Sequence, residues 1–318
     1  MNLESDLMVD RRRLRRQLTF WRVLAIVVAL AGVVALGLVW SGAAPNRARP
    51  HVARITIDGL ITGKQETLDL LERAANPAVK AVVLRINSGG GTTAGSETLY
   101  NEVRRLAEKK PVVAVIDTVG ASGAYMTALG AHRILANGSA LVGSIGVVAQ
   151  VPNVTKLLDT LGVKVESVRS TPLKALPNGV EVTPPEARAA LEATVKDTYV
   201  WFKALVGERR KLEGAALDTV ADARVFTGRQ ALGLKLVDAL GDERAALAWL
   251  EAEKGLSKGL PVLAYKPPQG NRLPTISSLA KAMTLIGLPE SIVQALSGQL
   301  GEAPRLDGLV SLWHASGE

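Results

Sequence analysis

The chain has 318 residues, 47% hydrophobic and 21% charged, a balance that supports a folded core and excludes a largely disordered protein. It contains no cysteine, which excludes disulfides, thiolate zinc sites, iron–sulfur clusters and thiol catalysis; its three histidines, His51, His132 and His314, lie too far apart for a histidine-based metal motif. The net charge of +8 is densest in residues 1–22, where six Arg face three acids, and thin elsewhere; with only three Phe, four Tyr and five Trp for base stacking, nucleic-acid binding is disfavoured.

Arg11 to Arg16 hold five arginines directly before an apolar run, Val23 to Trp40, of 18 residues without a charge. As a helix this run is about 27 Å long, close to the hydrocarbon thickness of a bilayer. The arginine flank places residues 1–22 in the cytoplasm and everything after Trp40 outside it. A cleaved signal peptide is the rival reading, since Ser41-Gly42-Ala43-Ala44 is small enough for cleavage, but the run exceeds the usual length of such a segment. A buried core helix is the plainer alternative, and the arginine cluster argues against it. Residues 41–50 read as a polar, proline-containing linker.

From His51 onward strand and helix patterns alternate. Strands are expected at Ala53–Ile61, Ala81–Ile86, Val112–Asp117, Ile134–Ala136, Val147–Val151 and Pro261–Tyr265. Helices are expected at Ala94–Lys109, Ala124–Leu129, Arg229–Leu234 and Glu243–Glu253. Thr183-Pro184-Pro185-Glu186 reads as a capping box opening a long helix to about Arg210, with Leu191, Val195, Tyr199, Phe202 and Leu205 on one face. Residues 266–318 are less regular, with amphipathic stretches at 276–287 and 290–300. The alternation implies βαβ units, a mainly parallel sheet and an α/β fold.

Three places could carry chemistry. Asn87-Ser88-Gly89-Gly90-Gly91 follows a buried-type strand; its glycines allow close backbone approach to a ligand, as an oxyanion hole or peptide cleft, or form a plain turn. Gly120-Ala121-Ser122-Gly123-Ala124 sets a serine at a strand-to-helix junction, where free N–H groups favour developing negative charge; the plain alternative is a helix cap. Lys174 lies among Leu173, Ala175, Leu176 and the prolines 172 and 177. An ordinary lysine is a poor base at neutral pH, whereas an apolar pocket favours the neutral amine that can take a serine proton. The plain alternative is a solvated loop lysine.

In this order and spacing the three features resemble the short form of the signal peptide peptidase A family, membrane-anchored Ser–Lys proteases with the fold of Clp protease and crotonases. The resemblance covers roughly residues 51–255 and the anchor. Asn87–Gly91 is similar to the family's Asn-Ser-Pro-Gly-Gly loop, with Gly89 in place of the proline; Ala121–Tyr125 is similar to its nucleophile turn, and Val142–Val147 to its Gly-Ser-Ile-Gly-Val signature. Lys174 stands where the family keeps its base, followed by Ala175 in place of an acid or hydroxyl residue, and Arg224–Ala231 with Leu236–Asp238 match a further block. The resemblance implies a Clp protease/crotonase-like α/β fold of repeated ββα units behind one N-terminal transmembrane helix. It implies Ser122 as nucleophile, Lys174 as base, the N–H groups of Gly91 and Gly123 as oxyanion hole, and Ser144 and Gly90 in support. No metal, nucleotide or organic cofactor is implied.

The layout that follows is a cytoplasmic tail (1–22), an anchor (23–40), a linker (41–50), a protease domain (51–265) and a C-terminal extension (266–318). The expected function is degradation of remnant signal peptides at the outer face of the cytoplasmic membrane by a homo-oligomeric serine endopeptidase whose Ser and Lys can come from neighbouring subunits. A crotonase-like acyl-CoA enzyme and a non-catalytic membrane scaffold are the alternatives; an exported domain argues against the first and an intact Ser–Lys pair against the second.

Overall fold

The computed structural model describes residues 16–30, 49–267 and 310–312. The chain divides into two units, Met1–Pro50 and His51–Glu318. In the first, helix α1 spans 16–30, and its large apolar side chains from Leu18 to Leu30 are exposed. Among the described residues no helix is long and apolar enough to cross a membrane. Positions 31–40 of the expected anchor lie outside the described residues, as do the stretches 276–287 and 290–300.

The second unit is built on a mixed sheet in the order β7-β6-β4-β2-β1-β9, where β9 is Val262–Tyr265, with β5 also pairing β4, and β8 (Ala239–Leu240) pairing β5. At its centre lie β1 (His51–Asp58), β2 (Val79–Ser88) and β4 (Val112–Ala121), all parallel. These strands are buried on both faces, so they read as unbroken β-branched runs rather than as alternating patterns. One face carries Ala53, Ile55, Val82, Leu84, Ala114 and Ile116 into a large core under α2 (Gln65–Ala74), α3 (Thr93–Ala107) and the second half of α6 (Pro185–Arg210). The opposite face packs Val52, Ala81, Val83, Val113 and Val115 against Ala246 and Leu250 of α9 (Glu243–Glu253).

Strand β4 forks. Its first half pairs with β5 (Arg133–Ala136) and its last residues pair with β6 (Leu141–Gly143), which in turn pairs antiparallel with β7 (Val225–Thr227). The fork opens the sheet at the carboxyl end of β4, where the chain turns into α4 (Gly123–Ala128). Beside it, β3 (Gly90–Thr92) leaves the end of β2 and feeds α3.

Two expectations need correction. Val147–Val151 is not a strand: it has a single bridge at Val148, and Val148 and Val151 are exposed. A strand exists only where a neighbour completes its ladder, and this segment pairs at one position alone. The capping box at Thr183 is also absent, because Pro184 is the N-cap of α6 and no side chain caps that end. A real capping box occurs at Thr227 and Gln230, opening α8 (Gly228–Gly233). The expected apolar face of α6 divides: Phe202 and Leu205 are buried in the core, whereas Leu191, Val195 and Tyr199 line an open cleft of about 580 Å³ with Val148 and Val151.

Candidate active site

Ser122 occupies the turn between β4 and α4 with φ 55° and ψ −122°, a conformation that costs a non-glycine residue on the order of 1–3 kcal/mol. The surroundings hold it there. Its N–H donates to the Gly143 carbonyl of β6 at 2.7 Å, and its carbonyl accepts from the Met126 N–H at 2.9 Å. Only small residues, Ala121, Gly123 and Ala124, crowd the turn, and Ser122 itself is 1% exposed. Its side chain makes no capping hydrogen bond to α4, so the plain helix-cap reading of this serine does not hold.

Helix α4 is pinned from below. The Tyr125 hydroxyl, fully buried, donates to the Leu236 carbonyl at 2.7 Å, and burial pushes its ionisation far up, so it stays a donor. Strand-to-helix geometry at Ser122 is thus fixed by a core hydrogen bond three residues away. The block around Leu236 acts here as a floor for α4.

The glycine-rich loop is braced by residues that sequence reasoning left unassigned. Asn87 Nδ2 donates to Asp58 Oδ1 at 3.1 Å. Ser88 Oγ donates to the Gly59 carbonyl at 2.6 Å and accepts from the Gly90 N–H at 3.0 Å. Gly90 has φ 109°, a value that favours glycine. Gly91 forms a parallel bridge with Ile61: the Ile61 N–H donates to the Gly90 carbonyl at 3.0 Å, and the Thr92 N–H donates to the Ile61 carbonyl at 2.8 Å. A Cβ at Gly91 would stand 1.8 Å from the Ile61 oxygen, so no other residue fits. Thr92 then caps α3, its Oγ1 accepting from the Gly95 N–H at 3.1 Å.

Because α4 packs against β2 and β3, the serine turn and the glycine-rich strand are neighbours. Ser144 joins them through β6: it directly follows Gly143, has φ 51°, is 8% exposed, and donates its N–H to the Arg224 carbonyl at 2.8 Å. The structure therefore brings Ser122, Gly123, Gly90, Gly91 and Ser144 into one region of the fold.

Lys174 is not brought to them within the chain. It lies on an irregular, exposed stretch, its N–H donating to the Thr171 carbonyl at 3.1 Å, and its Nζ makes no hydrogen bond or ion pair with the described residues. The stretch is tied at its base by Glu181, which accepts from Arg169, from Ser167 at 2.7 Å and from Asn178 at 3.1 Å. The Arg169 hydrogen bond leads in holding the Glu181 carboxyl down at about 2. Along the same arm, Val148, Leu157, Leu161, Val168, Leu173 and Val182 expose their side chains. Among the described residues no group of three or more His, Asp or Glu could hold a metal ion.

Residues 104–257 match the model of peptidase family S49. Over 250 residues, 77% of this chain, the sequence is 34% identical to slr0021 of Synechocystis sp., a protein named as a protease, and it covers 90% of that relative. It is 31% identical over 190 residues to an Enterococcus faecium protein named as signal peptide peptidase SppA, matching 59% of this chain and 55% of the relative. A solved structure of a variant of the 1510-N membrane-bound stomatin-specific protease aligns over 69% of this chain and 99% of its own, with 15% identity and a TM-score of 0.45. With a serine turn and a glycine-rich strand side by side in an α/β fold, and with these relatives, the chain belongs to peptidase family S49, the family of signal peptide peptidase A, and is a serine-type peptidase.

Proposed function

We propose that the protein is an endopeptidase with a Ser122–Lys174 dyad on a Clp protease/crotonase-like fold. The observation that carries this reading is the backbone of Ser122, a non-glycine residue held at φ 55° and ψ −122° beside a glycine strand that tolerates no Cβ. Strain of this kind persists where the surrounding structure enforces it, and it sets a side chain at a sharp strand-to-helix turn.

In the reaction, the neutral Lys174 Nζ takes the proton from Ser122 Oγ as Oγ attacks the scissile carbonyl carbon. The Gly91 and Gly123 N–H groups donate to the developing oxyanion. The intermediate collapses with cleavage of the C–N bond, and Lys174 gives its proton to the leaving amine. Water then attacks the acyl-enzyme, Lys174 taking its proton, and the acid departs with Ser122 restored. Ser144 orients the lysine.

Lys174 acts here across an interface between two copies of the chain. Its own chain leaves it solvated, on an arm that exposes valines and leucines, and a second copy covering that arm would supply the dry surroundings a lysine base requires. The apolar surface of α1 and the uncharged run to Trp40 support an anchor in the cytoplasmic membrane with the catalytic unit outside. Remnant signal peptides are the substrates such a location offers, and the SppA relative's name agrees with them.

Mixing two inactive variants tests this reading. Lys174→Ala and Lys174→Arg should each be inactive, the second because a guanidinium stays protonated. Co-assembled one-to-one, Lys174→Ala and Ser122→Ala should recover about a quarter of wild-type activity, the share of interfaces in a closed ring that pair an intact serine with an intact lysine. An active Lys174→Arg enzyme refutes the dyad. Absence of complementation in verified mixed oligomers refutes the shared site.

A further inference from the structure

The parallel strands β1, β2, β4, β5 and β9 all start on one edge of the sheet: His51 pairs with Val79, Val82 with Val112, Val113 with Arg133 and Val52 with Val262. Four helix-to-strand connections, residues 75–78, 108–111, 129–132 and 254–261, lead into it. These connections and the first two residues of the strands they feed hold Lys80, Lys109, Lys110, Arg133, Lys254 and Lys258 against one carboxylate, Glu108. At the opposite edge, the last two residues of β1, β2, β4 and β5 and the connections into α2, α3, α4 and α9 hold Asp58 and Asp242 against Lys64. Cations scattered along the sequence are thus gathered by the fold on the amino edge. Helix carboxyl ends attract cations on their own account, and Lys110 is used in that way, its Nζ donating to the Asn76 carbonyl at 2.8 Å and the Val79 carbonyl at 3.0 Å. Lys80, Lys109, Lys254 and Lys258 are exposed and make no ion pair with the described residues. Burial, and then Lys80 and Lys109 beside it, pull Lys110 below the ordinary lysine range; burial, and then Lys254, Arg104 and Arg209, lower His132. Half-buried Trp249 of α9 lies 5.2 Å from the Arg133 guanidinium and 5.4 Å from the Lys254 ammonium. An amphipathic ring among cations suits the headgroup level of a bilayer.

We infer that this amino edge is a docking face for an anionic bilayer surface, whose lipid phosphates supply the counter-charge that the chain itself does not. The inference rests on the anchor reading above. Residues 41–50 join the expected anchor to β1, which begins on this edge, and ten residues reach at most about 35 Å. A basic face tethered so closely is drawn onto a negative surface once it comes within a Debye length, about 10 Å at 0.1 M salt. The orientation has a consequence for substrates. Strand β4 runs from this edge to the serine turn, and its ten residues span about 30 Å. A unit docked on its amino edge holds Ser122 at the far end of that strand, away from the headgroups. The peptides it takes are then those that have left the bilayer, not segments still spanning it.

The test uses the full chain, whose lack of cysteine allows a single fluorophore to be placed by Ser257→Cys on the amino edge or by Thr118→Cys, exposed near the far end of β4. Each protein is reconstituted into nanodiscs carrying a headgroup spin label, of phosphatidylcholine alone or with about 30% phosphatidylglycerol. Quenching of the Ser257→Cys label should be at least about threefold stronger in the anionic discs and should vanish at about 0.5 M NaCl. It should vanish also in a variant carrying Lys80→Glu, Lys109→Glu and Lys254→Glu, whose melting temperature checks its fold. The Thr118→Cys label should stay unquenched in both discs. Flotation of the full chain with neutral vesicles at high salt reads the anchor separately. If the chain floats but Ser257→Cys quenching ignores phosphatidylglycerol or the triple charge reversal, or Thr118→Cys is quenched equally, the inference is overturned and the anchor stands. If the chain floats only with anionic vesicles at low salt, and the charge reversal abolishes this, the anchor is overturned and the basic face stands. If it floats with neither, both are overturned.

Discussion

Gly91→Ala is the perturbation whose cost follows most directly from the geometry. The new Cβ would stand 1.8 Å from the Ile61 carbonyl oxygen, 2.5 Å from its carbon and 2.6 Å from the Ile61 nitrogen, all backbone atoms that cannot rotate away. Relief requires the Ile61–Gly91 bridge to open, with loss of the Ile61-to-Gly90 and Thr92-to-Ile61 hydrogen bonds. At about 0.5–1.5 kcal/mol each, those two bonds amount to roughly 1–3 kcal/mol. Restriction of the unfolded chain by alanine returns only about 0.4–1 kcal/mol. With about 2–4 °C per kcal/mol for a unit of this size, Tm should fall by several degrees. Displacing one oxyanion donor should lower kcat by about 10²–10³. Gly233→Ala is the matched control: a Cβ there meets nothing within 4 Å, so melting and hydrolysis should stay at wild-type values or improve slightly. Calorimetry and a peptide hydrolysis assay read both. A Gly91→Ala protein that melts within a degree of wild type and keeps its kcat would refute the reasoning.

Ser122→Gly should abolish hydrolysis yet raise Tm, because glycine relieves the φ 55°, ψ −122° strain worth about 1–3 kcal/mol; a lower Tm would show that the turn is unstrained. Tyr125→Phe leaves the Leu236 carbonyl without its buried donor and should cost about 1–3 kcal/mol, read as a lower urea midpoint at unchanged m value. The Glu181 carboxyl, held down at about 2 in the fold against its ordinary 4.5, contributes stability that is present above about 4.5 and lost as pH falls towards 2. Limited proteolysis across residues 163–182 should therefore accelerate on acidification through that window, and Glu181→Gln should be cut readily at every pH.

The elements legible from sequence are those whose local pattern and tertiary surroundings agree. Strands β2 and β4 announce themselves because burial on both faces selects uninterrupted Val, Ile and Leu. Helix α9 is bounded as expected at Glu243–Glu253, with Asp242 capping it through the Arg244 and Ala245 N–H groups. The missing pieces depend on distant partners. Val147–Val151 has strand composition but only the single bridge at Val148, and α2 begins without a side-chain cap to mark it. The serine turn and the glycine loop were readable because small residues at a strand end have few other uses. Their supports were not: the Asp58 and Ser88 brace and the Tyr125 anchor each join residues 29 or more positions apart. The pairing of Val310–Leu312 with β3 spans more than 200 positions and leaves no local signal at either end. Lys174 stands out in the sequence for its apolar neighbours, yet Leu173 and the lysine itself are exposed in the single chain, so those neighbours do not form its pocket within one subunit.

The central claim is that Ser122 is the nucleophile. A serine-directed phosphonate allowed to react with the full chain, followed by mass spectrometry of its peptides, tests it most directly. The adduct should fall on Ser122 alone, with hydrolysis lost in proportion to labelling, and Ser88 and Ser144 should stay unmodified. An adduct on either of those serines, or full hydrolytic activity in a protein labelled at Ser122, would contradict the account.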